Sequence, residues 1–258
     1  MGLDLYAGTL TRYYANNWKS AARQWAEANG LSFSRITPDG EIVVEEEVSA
    51  GEVQCAVEEW RDQILAAVTV PGKKPYAAWQ EDNEKPYYTD KPDWDAFGAM
   101  LLVAACYFYG EPIPETVSKG WDFEEHPLIK RLSQEPENIW SLFRDTIMWL
   151  PLPDSFLFHA PRPTGDQATI ATTAALRLEL ERLNELAWHA DENTVRGWIK
   201  SEGYPVEGVI GEDGTFSQTE LPEQTEYNTE SLAKYAFSIF YQSLQFAEEN
   251  QVPILMDF

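Results

Sequence analysis

The sequence is poor in basic residues: 19 Lys and Arg stand against 43 Asp and Glu, a formal net charge of -24 over 258 residues. A surface of this sign repels the phosphates of nucleic acids, which are therefore disfavoured as direct partners. Because the apolar fraction of 44% is ordinary for a globular protein, we expect the excess acid mainly on the outside of a folded, soluble body.

Histidine is scarce as well. His126, His159 and His189 have no spacing typical of a metal site, and such a site would need partners such as Asp191 and Glu192 beside His189. We expect structural roles for all three histidines and assign neither a metal nor a cofactor.

Cysteines and long apolar runs are few. Cys55 and Cys106 each lie in an apolar helical pattern, so both are expected in the core, without a disulfide in a reducing cytosol. The longest apolar run, residues 96–109, is interrupted by Gly98 and is shorter than the roughly 20 residues of a bilayer span, so it predicts a buried helix.

Targeting signals are also missing from the opening residues. Met-Gly-Leu-Asp is not followed by a basic and then an apolar stretch, and Tyr6 stands where a myristoylation motif needs Ser or Thr. We therefore expect a cytoplasmic protein without membrane contact.

The strong catalytic motifs are absent. The sequence contains no phosphate-binding glycine loop with Lys and Ser or Thr, no His-Glu-x-x-His, no Cys-x-x-Cys and no Gly-x-Ser-x-Gly. Carboxylates are so numerous that a catalytic pair cannot be recognised among them. We assign no catalytic residue and lean against an enzyme, with catalysis left open.

Aromatic residues are plentiful, with 10 Trp, 12 Tyr and 12 Phe, enough to build a core and leave some at the surface. The alternation of predicted helices and short strands indicates an α+β fold, a helix-rich single domain over residues 1–258 with a small mixed sheet and one or two hairpins. A subdivision near Pro151 is an alternative within this prediction.

Hydrophobic periodicity and capping signals place the individual elements. Helices are predicted at 16–29, 49–68 with a Ser49 and Glu52 capping box, 93–109, 136–150, 170–189, 194–202 and from 229 onward, with a helical turn at 127–132. Strands are predicted at 3–8, 155–159 and 252–256, hairpins at 31–48 and 206–218, and a loop at 9–14.

Residues 71–92 show neither helical nor strand periodicity. Loops longer than about 12–15 residues are uncommon and often functional, so this segment is the predicted binding loop or lid. Acidic and aromatic side chains coincide there, which favours a basic partner; the aromatic ones would alternatively form a satellite core beneath the loop. The candidate binding residues are Trp79, Glu81, Asp82, Glu84, Tyr87, Tyr88, Asp90 and Trp94.

Arg12 and Arg162 each occupy a predicted loop between a short strand and a helix. An arginine beside the positive end of a helix can bind a carboxylate or a phosphate, and neighbouring strands would bring both arginines to one anion site. In the alternative interpretation, each arginine pairs with a local carboxylate and holds its loop.

Our first functional hypothesis is an acidic cytoplasmic binding protein that captures a basic protein partner. Acid steers the encounter, and aromatic side chains supply affinity. In composition the chain resembles bacterial immunity proteins, small acidic cytosolic proteins that block basic toxin nucleases. Its opening, Met-Gly-Leu-Asp-Leu-Tyr-Ala-Gly-Thr-Leu-Thr-Arg-Tyr-Tyr, resembles the start of uncharacterised bacterial proteins and implies no activity.

The second hypothesis is an enzyme or ligand-binding protein that takes a small anion or a sugar. Its pocket would lie between Arg12, Arg162 and the aromatic loop. A deep cleft joining the two arginines would favour it, whereas an acidic face with exposed Tyr87 and Tyr88 would favour the first hypothesis. The sequence leaves the oligomeric state open.

Overall fold

The computed structural model describes residues 2–32, 48–136, 140–205 and 225–258, with the backbone alone at 208–210 and 216–218. Within these ranges the helices are α1 Leu10–Tyr14, α2 Ala21–Ala28, α3 Ala50–Val68, α4 Asp93–Tyr109, α5 Pro127–Gln134, α6 Thr173–Ala187, α7 Glu192–Ser201 and α8 Thr229–Asn250. The strands are β1 Asp4–Ala7, β2 Tyr88–Asp90, β3 Thr116–Ser118, β4 Thr146–Leu150, β5 Leu157–Pro161, β6 Gln167–Thr172, β7 Gly208–Ile210, β8 Phe216–Gln218, β9 Glu226–Asn228 and β10 Ile254–Asp257.

A six-stranded mixed sheet organises the molecule, in the order β2-β1-β10-β4-β6-β5. β4 and β6 run parallel, and the other neighbours are antiparallel. Strands from both sides of Pro151 share this sheet. The predicted α+β class with a mixed sheet is confirmed.

Helices cover both faces of the sheet. On the face that we call the first, Trp149 of β4 packs edge-on against Phe240 of α8, within a core to which α4 and α6 also contribute. On the second face, Met148 and Leu150 pack in a core shared with Trp60 of α3. Successive side chains of a strand point to opposite faces, so the central strands are apolar on both.

The largest correction concerns residues 136–150, which were predicted as one helix. The structure has a 3₁₀ turn at Ser141–Phe143, followed by β4. β4 lies between β10 and β6 with apolar cores on both sides, so the residues after Thr146 form a continuous apolar run. Such a run lacks the alternation of a half-buried strand, and periodicity alone does not separate it from a buried helix.

The helix predicted at 170–189 also begins later, at Thr173, because the residues up to Thr172 form β6. Thr172 both ends the strand and caps the helix, since its hydroxyl accepts the Ala175 N–H at 3.1 Å.

The predicted loop at 9–14 contains α1, whose first turn is capped by the hydroxyl of Thr9 accepting the Arg12 N–H. The helix predicted at 16–29 is shortened to α2 by the Ser20 cap. At α3, Ser49 makes no side-chain capping bond, so the predicted capping box is not formed. The predicted loop 71–92 contains β2 at the sheet edge.

Cys106 is buried as predicted, but Cys55 is exposed on α3, contrary to the prediction; both are free thiols. The helices α3, α4, α7 and α8 and the strands β1, β5 and β10 lie close to their predicted positions, and α5 contains the predicted turn. Antiparallel pairing of β7 with β8 confirms the second hairpin, whose turn lies outside the described residues.

The hairpin predicted at 31–48 lies outside the described residues, apart from its ends. A pairing that was not predicted joins β3 to β9 in a separate two-stranded sheet. Within the described ranges, no helix combines the length and apolar character needed to cross a bilayer.

Asp4 is a partly buried acid at the start of β1, directly opposite Asp257 on the neighbouring strand β10. Burial is the main cause that raises the pKa of Asp4 from its ordinary 3.8 to about 6; Lys91 opposes this, and Asp257, Asp93 and Asp90 add to it. The folded state therefore holds this proton more tightly than the unfolded state, so stability falls as pH rises through the window between 3.8 and about 6.

We expect Asp4→Asn to raise the melting temperature by a margin that is small at pH 4 and grows up to about pH 7, because the amide cannot ionise. Thermal unfolding followed by circular dichroism across this range is the measurement. Glu181→Gln, at an exposed site, removes the same formal charge and should show no comparable trend. An equal pH trend in both variants would mean that net charge, not the burial of Asp4, is responsible.

Candidate functional site

A groove of about 1050 Å³ opens on the first face of the sheet, at the end formed by β4, β6 and β5. Known small-molecule sites occupy roughly 300–1,000 Å³, so its size is near the upper limit of that range. Three parts bound it: an aromatic wall from α4 and the segment after β3, a polar floor on the sheet, and an outer wall at Ser141–Phe143. Its form is that of an open groove rather than a closed cavity.

The aromatic wall is a continuous stack of rings. Trp94 stacks on Phe123 with centroids 6.1 Å apart, and Phe258 meets Trp94 edge-on at 5.2 Å. Gly98 makes this possible, because a Cβ there would lie 2.6 Å from Cβ and Cγ of Phe123. The glycine that interrupts the apolar run of α4 thus lets Phe123 lie directly on the helix backbone.

The polar floor is a row of three side chains on adjacent strands. The strand register pairs Thr146 of β4 with Thr169 of β6, and Thr169 with His159 of β5. Nδ1 of His159 and the hydroxyl of Thr169 lie 3.2 Å apart in a hydrogen bond. The hydroxyl of Thr146 is buried and has no partner among the described residues. The groove therefore combines apolar walls with a few hydrogen-bonding groups, the composition typical of binding sites.

The outer wall is held by one buried carboxylate. Glu179 of α6 accepts hydrogen bonds from the N–H and the hydroxyl of Ser141 and, at 3.1 Å, from the N–H of Leu142. The Trp149 indole donates to the same Ser141 hydroxyl at 2.8 Å. Burial raises the pKa of Glu179 to about 7, although these hydrogen bonds oppose the rise. The network fixes Leu142 and Phe143, which line the groove.

Among the described residues that line the groove, the rim carries more acid than base: Glu124, Glu125 and Asp145 against Lys130 and Arg144. Glu124 and Asp145 are exposed, and neither has an ion pair in the described part of the chain. The rim cations are already engaged: Lys130 pairs with Glu125 at 2.9 Å. The Arg144 guanidinium donates to the carbonyls of residues 133 and 135. A ligand at this mouth meets a small excess of negative charge beside an aromatic wall.

Trp79 and Glu81, predicted as binding residues, lie in the interior. Trp79 is 4% exposed, and its indole donates to the Glu81 carboxylate at 2.8 Å. That carboxylate also accepts the N–H groups of Leu10, at 3.3 Å, and Thr11, at 2.8 Å, at the start of α1. Burial raises its pKa, and the hydrogen bonds counteract this. These contacts hold the segment around residue 80 against α1.

Tyr87 and Tyr88 are half-buried on opposite sides of the sheet edge. Tyr87 stacks on Tyr6 at 5.7 Å, and its hydroxyl accepts the N–H of Lys19 at 3.0 Å. Tyr88 packs near Phe246 and donates to Asp90 at 3.2 Å. Burial raises the pKa of Tyr88 and also that of Asp90. Both rings are part of the packing.

Of the remaining predicted residues, Asp82 accepts the N–H groups of Glu84 and Lys85 and shapes its own loop. Glu84 is exposed. Trp94 alone among the eight candidates lines the groove.

Arg12 and Arg162 do not line the groove, and neither has the predicted setting between a strand and a helix. Arg12 lies within α1, donates to the carbonyls of Asn17 and Lys85, and lies 4.5 Å over the Tyr87 ring. Arg162 lies in the turn that joins β5 to β6 and pairs with Asp166 at 2.9 Å. Arg162 therefore makes the ion pair with a local carboxylate that the alternative interpretation expects, whereas the contacts of Arg12 are to carbonyls and an aromatic ring.

Sequence reasoning missed the floor of the groove. Thr146 fell in the segment predicted as a helix at 136–150, Thr169 preceded the helix predicted at 170–189, and His159 was expected to have a structural role. The available signal was alternation in β5, where Leu157 and His159 share a face and Phe158 and Ala160 share the other.

Among the residues that the structure describes, no group of three or more His, Cys, Asp and Glu side chains is placed to hold a metal ion. No family model, curated protein or solved structure matches this chain.

The Glu179 network gives a stability prediction with a pH signature. Its folded pKa of about 7 exceeds the ordinary 4.5, so the native state loses stability as pH rises through that window. Glu179→Gln keeps one acceptor oxygen and cannot ionise, so its stability relative to the unchanged protein should improve between pH 5 and pH 8. Urea unfolding at both pH values measures this.

Glu179→Ala should cost about 3 kcal/mol or more, because it leaves three donors without an acceptor. Glu181→Gln on the same helix is exposed and serves as the control. If Glu179→Gln differs from the unchanged protein equally at pH 5 and pH 8, the buried carboxylate does not titrate as described.

Proposed function

We propose that this protein binds a basic protein partner and that the groove receives an apolar or aromatic part of that partner. The observation that carries the proposal is that two exposed rim carboxylates, Glu124 and Asp145, have no ion pair among the described residues and lie beside the aromatic wall of Trp94, Phe123 and Phe258. The mouth of the groove combines acidic and aromatic surface, the combination that the sequence predicted for residues 71–92.

The two components have different physical roles. A net charge of -24 raises the encounter rate with cationic proteins and disfavours anionic ones. Exposed carboxylates add little affinity each, so the apolar contact must supply most of it. Phe258, 55% exposed at the edge of the wall, is the surface side chain best placed to do so.

The composition supports one biological form of this function: an immunity-type protein that neutralises a basic toxin. Acid would attract the toxin, and the groove would hold a side chain of it. This form is part of the proposal and rests on the compositional resemblance and on the charge of the rim.

The alternative of a small-anion or sugar site between Arg12 and Arg162 has less support. Both guanidinium groups are engaged in local contacts, and neither arginine lines the groove. A groove whose rim carries free carboxylates is also a poor receptor for an anion.

The probe for the proposal is a fluorescently labelled capped peptide with lysines at both ends and tryptophan, valine and leucine alternating with threonine between them. We expect saturable binding by fluorescence anisotropy that weakens as salt is raised, because exposed ion pairs are screened. Glu124→Gln combined with Asp145→Asn should weaken binding about two- to thirtyfold, the range for two exposed ion pairs. Phe258→Ala should weaken it by about tenfold.

The matched control is Glu52→Gln combined with Glu181→Gln, which removes the same formal charge from exposed positions that do not line the groove. It should leave the affinity within a factor of about two. A charge-reversed peptide, with glutamates in place of the lysines, should not bind. Absence of saturable binding up to about 1 mM at low salt, or equal binding of the reversed peptide, would refute the proposed function.

A further inference from the structure

β5 is an edge strand of the six-stranded sheet and borders the groove. On its inner side it pairs with β6. In this pairing His159 lies opposite Thr169, and Ala160 lies opposite Ala168. Arg162 lies opposite Asp166, just beyond the last pair of this ladder. The Arg162 N–H donates to the carbonyl of Asp166 at 2.7 Å, so Arg162 and Asp166 are a hydrogen-bonded pair.

In an antiparallel ladder, hydrogen-bonded and non-hydrogen-bonded pairs alternate along the strand. Ala160 and Phe158 therefore bond inward to β6, and the backbone groups of Leu157, His159 and Pro161 point outward. The carbonyl of Pro161 confirms this direction, because it accepts the Trp60 indole N–H at 2.7 Å.

The outward edge is closed at one end and open along the rest. Pro161 has no N–H, and its carbonyl is occupied by Trp60. The N–H and carbonyl groups of Leu157 and His159 have no hydrogen bond in the part of the chain that the structure describes. β5 carries no Lys, Asp or Glu, the residues that commonly protect an edge from pairing.

The residues with the open backbone groups are also the ones that line the groove. Leu157 and His159 both border it, beside Thr169 of the polar floor. A strand added to β5 would lie about 4.8 Å away, with every second side chain on the groove side. Backbone bonding would then give affinity and the groove would select the alternate side chains.

We propose that the basic partner binds as an added β-strand on β5, with alternate apolar or aromatic side chains in the groove and cationic ones near Glu124 and Asp145. This inference rests on the proposed function and specifies its mode. The charge favours a cationic strand over a second copy of this chain, because two bodies of -24 each would repel when their edges meet.

The test separates backbone pairing from side-chain contact at one position. His159→Pro removes the outward N–H but no bond of the β5 ladder, and His159→Ala removes the same side chain while keeping that N–H. Both variants lose the hydrogen bond to Thr169, so they are matched. We expect His159→Pro to weaken binding of the lysine-flanked peptide by at least about tenfold, and His159→Ala by about threefold or less.

Amide hydrogen exchange supplies the second readout. Saturating peptide should slow exchange at Leu157 and His159 and leave Ala160, already bonded to β6, nearly unchanged. In the free His159→Pro protein, retained protection at Ala160 shows that the sheet is intact.

The outcomes distinguish this inference from the proposed function. Peptide binding that His159→Pro and His159→Ala weaken equally, without new protection at Leu157 and His159, refutes strand addition and leaves the basic-partner proposal standing. Failure of the lysine-flanked peptide to bind refutes both. A dimer of the unliganded protein in sedimentation equilibrium, abolished by His159→Pro, would assign the edge to a second copy and overturn the inference.

Discussion

The buried Glu179 carboxylate accepts three hydrogen bonds, and the groove side of the molecule depends on this interaction. It ties α6 to the turn that leads into β4, and through the Ser141 hydroxyl it engages the indole of Trp149 in the central strand. The entry of β4 into the sheet and the position of Phe143 are thereby fixed together. Glu81 has a similar role on the second face, where it joins the start of α1 to Trp79.

These two glutamates show how a strongly acidic chain uses its carboxylates. Most remain hydrated, where mutual repulsion is weak, while Glu81 and Glu179 enter the interior because main-chain and indole donors replace water. At the rim of the groove a third situation arises, with acid exposed and aromatic surface beside it. The two buried glutamates are thus held by neutral donors and not by cations.

The sequence was sufficient to predict the α+β class. It was also sufficient for elements in which the apolar residues recur at one regular spacing. α4 and α8 have long apolar patterns, and β1 has alternating residues before Gly8. It was insufficient where burial is two-sided: β4 is apolar on both faces, and its side-chain pattern alone does not distinguish a strand from a buried helix. The start of α6 was misplaced for a related reason, since β6 passes into the helix at Thr172 with no intervening loop.

The candidate site was predicted only in part, because most of its residues come together through sheet register. Trp94 was recognised from its acidic and aromatic surroundings. Thr146, Thr169 and His159 come from three strands, one pairing parallel and one antiparallel, and their alignment depends on a strand order that the sequence does not reveal. Trp79 and Glu81 lie in the interior because a segment without periodicity can still be anchored by buried hydrogen bonds.

The position of β10 has a consequence for how the chain acquires its structure. This strand lies between β1 and β4, although it is the last strand described and β1 is the first. During synthesis, β1 and β4 therefore cannot pair with β10, the strand between them, until residues 254–257 have left the ribosome. Pairings of such long sequence separation form slowly, so both edges of the gap are exposed to wrong partners in the meantime. The sheet is completed as a late event in folding, after the helices have had time to form.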